Sequence, residues 1–192
     1  MIVKKYLSLF RIAVLFLGVM SVKAGTNLVG TLAPAPVFVT LSGQYQVFSK
    51  LYYQGSERLN EPRTTVVLRF TSLYCLPCHK EMPAFLDVVR PVAEEAKKKG
   101  IPFRFFLVSM DPLSVKEDLR KFMLEKEILI DSQLLLDPYK KAAEKFGVVS
   151  IPRTFVISAN GRVTADISGV ADDYRDLLKA GIDEALKEGK AK

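Results

Sequence analysis

Two cysteines occur in the 192 residues, and they stand three apart, in Cys75-Leu76-Pro77-Cys78. A cross-link between such close neighbours closes almost no loop, so chain-entropy reasoning gives it little stabilising value. That favours chemistry over stapling. The setting of the pair constrains the fold more than its letters do. It follows TTVVLRF (64–70), short and β-branched as a buried strand is. It then opens a helical pattern from Cys78 to Lys99, in which Met82, Phe85, Leu86, Val89 and Ala93 recur at three and four. A thiol at a helix start faces unpaired N–H groups and the positive end of the dipole, which favour the thiolate. Cys75, at the turn, is expected to be exposed and to attack; Cys78, one turn in, is expected to be more buried and to resolve the mixed disulfide. The dipole contributes up to ~2 kcal/mol, about one and a half pKa units, so it cannot by itself make a very acidic thiol.

The remaining elements alternate. APAPVFVTLSGQYQVFSKLYY (33–53) reads as a β-hairpin, with Val37–Leu41 and Tyr45–Phe48 as strands joined at Ser42-Gly43. GSERLNEPR (55–63) is a polar loop. Pro83 should kink the dithiol helix or end its first turns, and Gly100 closes it. IPFRFFLVSM (101–110) is the next strand. A second helix starts with Ser114 as N-cap and Glu117 completing a capping box, and runs to about Lys126. Leu134–Leu136 is a short strand, and Asp137-Pro138 starts a helix that Gly147 ends. RTFVIS (153–158) and RVTADIS (162–168) form a hairpin through Ala159-Asn160-Gly161. Asp172–Lys187 is an amphipathic closing helix. Strands alternating with helices, then a terminal hairpin plus helix, predict an α/β fold: a central mixed β-sheet flanked by helices on both faces.

Three neighbours of the dithiol call for a reading. Glu81 lies three residues past Cys78 on the same helical face. It is either a surface acid or a carboxylate that raises the thiol pKa values and carries the Cys78 proton. Ile151-Pro152 directly precedes a strand, as an ordinary strand boundary or as a cis-proline loop lying against the dithiol. His79 extends the motif to C-x-x-C-H, a c-type haem attachment signature. It is the one histidine in the chain, Met82 is too near to be a second axial ligand, and Met110 and Met123 belong to the core. An exposed histidine on the first helical turn is the expected reading. Zinc needs four ligands, and Cys75, Cys78 and His79 give at most three. No metal and no cofactor are expected.

Residues 1–24 have the layout of an export signal: Lys4, Lys5 and Arg11, then the apolar run Ile12–Val22, then Val22-Lys23-Ala24. Cleavage after Ala24 is favoured over a retained membrane anchor, because a spanning helix needs roughly 17–25 apolar residues. Four of the 28 basic residues and none of the 21 acidic ones lie in that segment, so residues 25–192 carry +3 rather than the +7 of the whole chain. No basic patch interleaved with aromatics remains, and a nucleic-acid partner is not expected. Lys97–Lys99 reads as a solvated helix end complementing the dipole.

The ordered set of motifs resembles the thioredoxin superfamily, and in detail its exported TlpA/ResA-type thiol–disulfide oxidoreductases, over roughly residues 30–187. The matches are Ala35-Pro36-Val37-Phe38; Cys75, Cys78, Glu81 and Pro83; and Asp137-Pro138, Gly147-Val148, Ile151-Pro152, Thr154-Phe155, Ile157 and Gly161. The resemblance implies a thioredoxin-like domain over 25–192 with an N-terminal hairpin and a segment (111–146) inserted relative to plain thioredoxin. It implies a nucleophilic Cys75, a resolving Cys78, a cis Pro152 shaping a substrate groove together with Ile151, and Glu81 tuning the pair. The expected activity is reduction of disulfides in other exported proteins in the periplasm, cytochrome c precursors among them, with a membrane thiol donor supplying electrons. A general disulfide oxidant or isomerase, a redox-inactive binding module and a haem protein are the alternatives. Where the family usually has Trp, this chain has Tyr74 beside the first cysteine and Thr71 after the strand. A peroxidase relative would keep Thr where Ser72 stands. Arg153, after the proline, would add positive charge near the thiolate.

Overall fold

The computed structural model describes residues 26–52, 63–127 and 133–190. The expected export signal and most of the polar loop at 55–63 lie outside them. β3 (Thr65–Thr71) is an interior strand of the sheet, buried along all seven residues. It pairs in parallel with β4 (Phe103–Ser109) and antiparallel with β6 (Arg153–Ile157). β5 (Leu134–Leu136) extends the sheet in parallel beyond β4, and β1 (Val37–Thr40) and β2 (Tyr45–Val47) close that side antiparallel. β7 (Val163–Ser168) pairs with β6 at the other edge, giving the order β2-β1-β5-β4-β3-β6-β7.

Side chains alternate across a strand, so the sheet separates two cores. Val67, Phe105, Leu107, Val156 and Ile167 face α2 (Leu76–Lys98), α3 (Lys116–Glu125) and α5 (Tyr174–Lys190). Val66, Leu68, Phe70, Phe106 and Phe155 face α1 (Ser49–Tyr52) and α4 (Lys141–Lys145). α5 lies very close to the sheet: a Cβ built on Gly181 would stand 2.4 Å from that of Ala165, and the Gly181 carbonyl accepts from Thr164 Oγ1 at 2.8 Å.

Four local expectations are corrected. α2 neither stops nor restarts at Pro83; it runs through Pro83 and Pro91 to Lys98. Each proline removes one i→i−4 bond, but both sit on the exposed side while Cys78, Met82, Phe85, Leu86 and Val89 hold the other side in the core. The capping box at Ser114 does not form: Pro112 leads into a single 3₁₀ turn, Leu113–Val115, and α3 starts at Lys116 without a side-chain cap. The helix expected from Asp137 starts only at Lys141, after a left-handed Lys140 (φ 54°). Asp137 nevertheless caps it from afar, accepting from the N–H groups of Ala142 and Ala143 at 3.2 and 2.8 Å. The short α1 had no signal strong enough to separate it from the hairpin before it.

Candidate functional site

β3 delivers the chain to the dithiol, and a buried carboxylate shapes the delivery. Asp111, at the end of β4, accepts from Ser72 Oγ (2.6 Å), Ser109 Oγ (2.7 Å) and the Leu73 N–H (2.7 Å). The turn before Cys75 is thereby tied to the neighbouring strand. Cys75 is then the N-cap of α2, its Sγ accepting from the Cys78 N–H at 3.2 Å. Its backbone is extended (φ −90°, ψ 93°), as an N-cap residue is.

Cys75 and Cys78 are joined in a disulfide with Cα atoms 5.2 Å apart, within the usual range. Cys75 is partly exposed and Cys78 wholly buried. The Ile151–Pro152 peptide bond is cis, and the Ile151 carbonyl oxygen lies 3.9 Å from Cys75 Sγ. Pro152 is buried and its carbonyl accepts from the Gly169 N–H at 2.9 Å, which pins the loop to the end of β7. Around this cleft Tyr74, Leu76, Val149 and Val170 present exposed apolar surface. The structure therefore gathers Cys75, Cys78, Ile151, Pro152 and Tyr74 at one end of the sheet.

Glu81 is placed on the inside rather than on the surface. It is buried on α2 and its Oε2 accepts from Arg69 Nη2 at 2.8 Å, with both side chains enclosed. Arg69 Nη1 donates to Tyr174 Oη (2.6 Å) and Thr154 Oγ1 (3.2 Å). Burial pushes the Tyr174 phenol above its ordinary value of 10.0, against the lowering pull of the Arg69 cation. Tyr174 thus stays a neutral hydroxyl.

Two expectations are overturned. His79 is not an exposed first-turn residue: its ring stacks on Phe122 at 4.6 Å, and Nε2 is enclosed without a hydrogen-bond partner among the described residues. The helix α3 that follows β4 covers it. Arg153 does not add free charge beside the sulfur. It is buried and directed at Asp166 (Nε–Oδ1 and Nη2–Oδ2, both 2.8 Å), and also donates to the carbonyls of Gly147 and Thr26. Sequence reasoning missed Arg69, Asp111, Thr154 and Tyr174 as parts of the site. For Arg69 a signal existed, since a charge inside a β-branched strand needs a buried partner.

Comparison with known proteins agrees with this geometry. The family model described as the AhpC/TSA family matches residues 42–166. The thiol-disulfide oxidoreductase ResA of Geobacillus kaustophilus (strain HTA426) is 30% identical over 141 residues, covering 73% of this chain and 70% of the relative. That of Geobacillus thermodenitrificans (strain NG80-2) is 30% identical over 154 residues, covering 79% and 77%. Among solved structures, the thioredoxin domain of a thiol-disulfide oxidoreductase from Bacteroides vulgatus matches with a TM-score of 0.59 at 21% identity, over 79% of this chain and 95% of that one. With a Cys-x-x-Cys disulfide at the start of a helix on a mixed sheet, the chain belongs to the AhpC/TSA family and is a thioredoxin-like thiol–disulfide oxidoreductase.

Proposed function

We propose that the protein works outside the cytoplasm as a reductase of disulfides in other exported proteins, the C-x-x-C-H segments of cytochrome c precursors included. The observation that carries this reading is the unequal exposure of the two sulfurs, with Cys75 open beside the cis Ile151–Pro152 loop and Cys78 enclosed. Cys75 attacks the substrate disulfide; Cys78 then expels the reduced substrate and the pair is left oxidised. The apolar rim of Tyr74, Leu76 and Val149, with Ile151, suits an unfolded segment better than a charged small molecule. Glu81 carries the Cys78 proton and opposes build-up of thiolate charge, which favours a reductant, since a stabilised thiolate is what makes such pairs oxidants. The layout of residues 1–24 supports export, with cleavage or a retained tether as its two forms. No helix among the described residues is long and apolar enough to cross a membrane. A membrane thiol protein is the electron donor that such a location calls for.

The test is the reduction potential of Cys75/Cys78, measured against glutathione or thioredoxin. A value near that of thioredoxin, about −270 mV, is expected. One near about −120 mV, the range of strong oxidants, makes the protein a disulfide donor instead. Reduction of insulin, and of an oxidised C-x-x-C-H peptide, should vanish in Cys75→Ser.

A further inference from the structure

Arg69 is the largest fully enclosed side chain among the described residues. A guanidinium keeps its charge in a protein, and an ion in the interior is costly unless paired. Glu81 supplies the pairing through Oε2 alone. Its Oε1 is equally enclosed and has no hydrogen-bond partner among the described residues. The guanidinium is not free to turn and bind both oxygens. Nη1 is occupied by Tyr174 and Thr154, and the rings of Phe85 and Tyr174 each lie 5.3 Å from its central carbon.

Glu81 follows Cys78 by one turn on the same buried face of α2, a spacing that brings Cβ atoms within about 5–6 Å. In the disulfide Cys78 has no proton; reduction gives it one. We propose that Arg69 is a positioning residue for the dithiol: it binds one oxygen of Glu81, keeps the carboxylate charged, and so holds the other oxygen open to receive the Cys78 proton. The proposal rests on the reading above that Cys78 resolves the mixed disulfide. In that step the proton passes from Cys78 Sγ to Glu81 Oε1 while the sulfur attacks Cys75 Sγ. The Cys75–Cys78 bond forms, the bond from Cys75 to the partner's sulfur breaks, and the partner leaves as a thiolate with the electron pair. That thiolate then takes up a proton, and Glu81 returns its own to solvent. The ionisable groups meeting Glu81 are Arg69 from β3, Tyr174 from α5 and Cys78 on its own helix. An ordinary thiol, with a pKa of about 8.5, is a few per cent ionised at pH 7, so a fixed acceptor can raise the reactive fraction by roughly thirtyfold at most.

The test mixes the reduced protein with the disulfide of thionitrobenzoate by stopped flow, from about pH 5 to about pH 9, a span that includes ordinary thiol ionisation. The first coloured release reports attack by Cys75, the second attack by Cys78. Arg69→Met and Glu81→Gln should slow the second release about tenfold at neutral pH and move its profile upward, within that ceiling. The first release should stay within about twofold, since Arg69 acts on the enclosed sulfur. R69M/E81Q should be no slower than either single variant, and Arg69→Lys should recover most of the loss, because a single-oxygen contact needs a cation and not a fork. A second release in R69M with the wild-type pH profile overturns the proposal, as does R69K being as slow as R69M. Should R69M not fold, R69M/E81Q, which leaves no buried charge unpaired, takes its place with the same slowed second release. No first release from the wild type would instead refute the dithiol reading, and this proposal with it.

Discussion

At the start of β6 a buried arginine–carboxylate pair lies on each face of the sheet, both with the same 2.8 Å contact, yet the two pairs are finished differently. Arg153 uses Nε and both terminal nitrogens, and Asp166 uses both oxygens, one of them also accepting from the Leu28 N–H at 2.9 Å. Every lone pair and proton of consequence is engaged, and residues 26–28 are strapped to the sheet as a result. The pair of Arg69 and Glu81 leaves Arg69 Nε and Glu81 Oε1 enclosed and unpartnered among the described residues. Desolvating polar atoms without partners costs free energy. On the role proposed for Arg69, the completed pair serves architecture and the open one serves proton transfer.

Substitutions can break or sharpen that contrast. The largest effect is expected from Asp166→Ala, which strands a buried guanidinium. Stability should fall by about 3–5 kcal/mol in denaturant unfolding, with both releases of the coloured thiol unchanged in the folded protein. Next comes Tyr174→Phe, which removes the hydroxyl accepting from Arg69 and should cost about 1.5–3 kcal/mol, the range for a hydrogen bond to a charged group. This variant has a pH signature as well. The folded phenol titrates above its ordinary value of 10.0, so the native state holds the proton more tightly. The stability this supplies is present below pH 10 and lost as pH rises through the folded value. The alkaline fall in unfolding free energy should therefore be shallower in Tyr174→Phe than in the wild type. The smallest effect is expected from R69M/E81Q. Replacing both members of a buried pair by neutral groups is often close to neutral, so a change within about 1 kcal/mol is expected while the Cys78 step slows. A double replacement that unfolds the protein would make the Arg69–Glu81 pair as architectural as the Arg153–Asp166 pair.

These residues also show how far the chain could be read before folding. The dithiol, the strand before it, the helix after it and the Ile151-Pro152 stretch were legible because each is a local pattern. So was the alternation that gives a mixed sheet. Asp111 was not read as part of the site, because its carboxylate reaches back to Ser72 and Leu73 across 39 and 38 positions. Tyr174 lies within the amphipathic closing helix expected over Asp172–Lys187, but its hydroxyl meets an arginine 105 positions away. Arg153 was placed beside the sulfur for its proximity in sequence to Pro152. Its partner Asp166 lies on the neighbouring strand β7, and the pairing of β6 with β7 decides where the charge goes. Periodicity reports which face a residue occupies; it does not report which ion waits there.

The unequal depth of the two sulfurs makes the enzyme one-handed. On the reading proposed above, a client chain is joined to the shallow sulfur and its release depends on the sunken neighbour. Replacing Cys78 by serine should therefore freeze each client in place as a stable covalent conjugate through Cys75, ready to be isolated and identified by mass spectrometry.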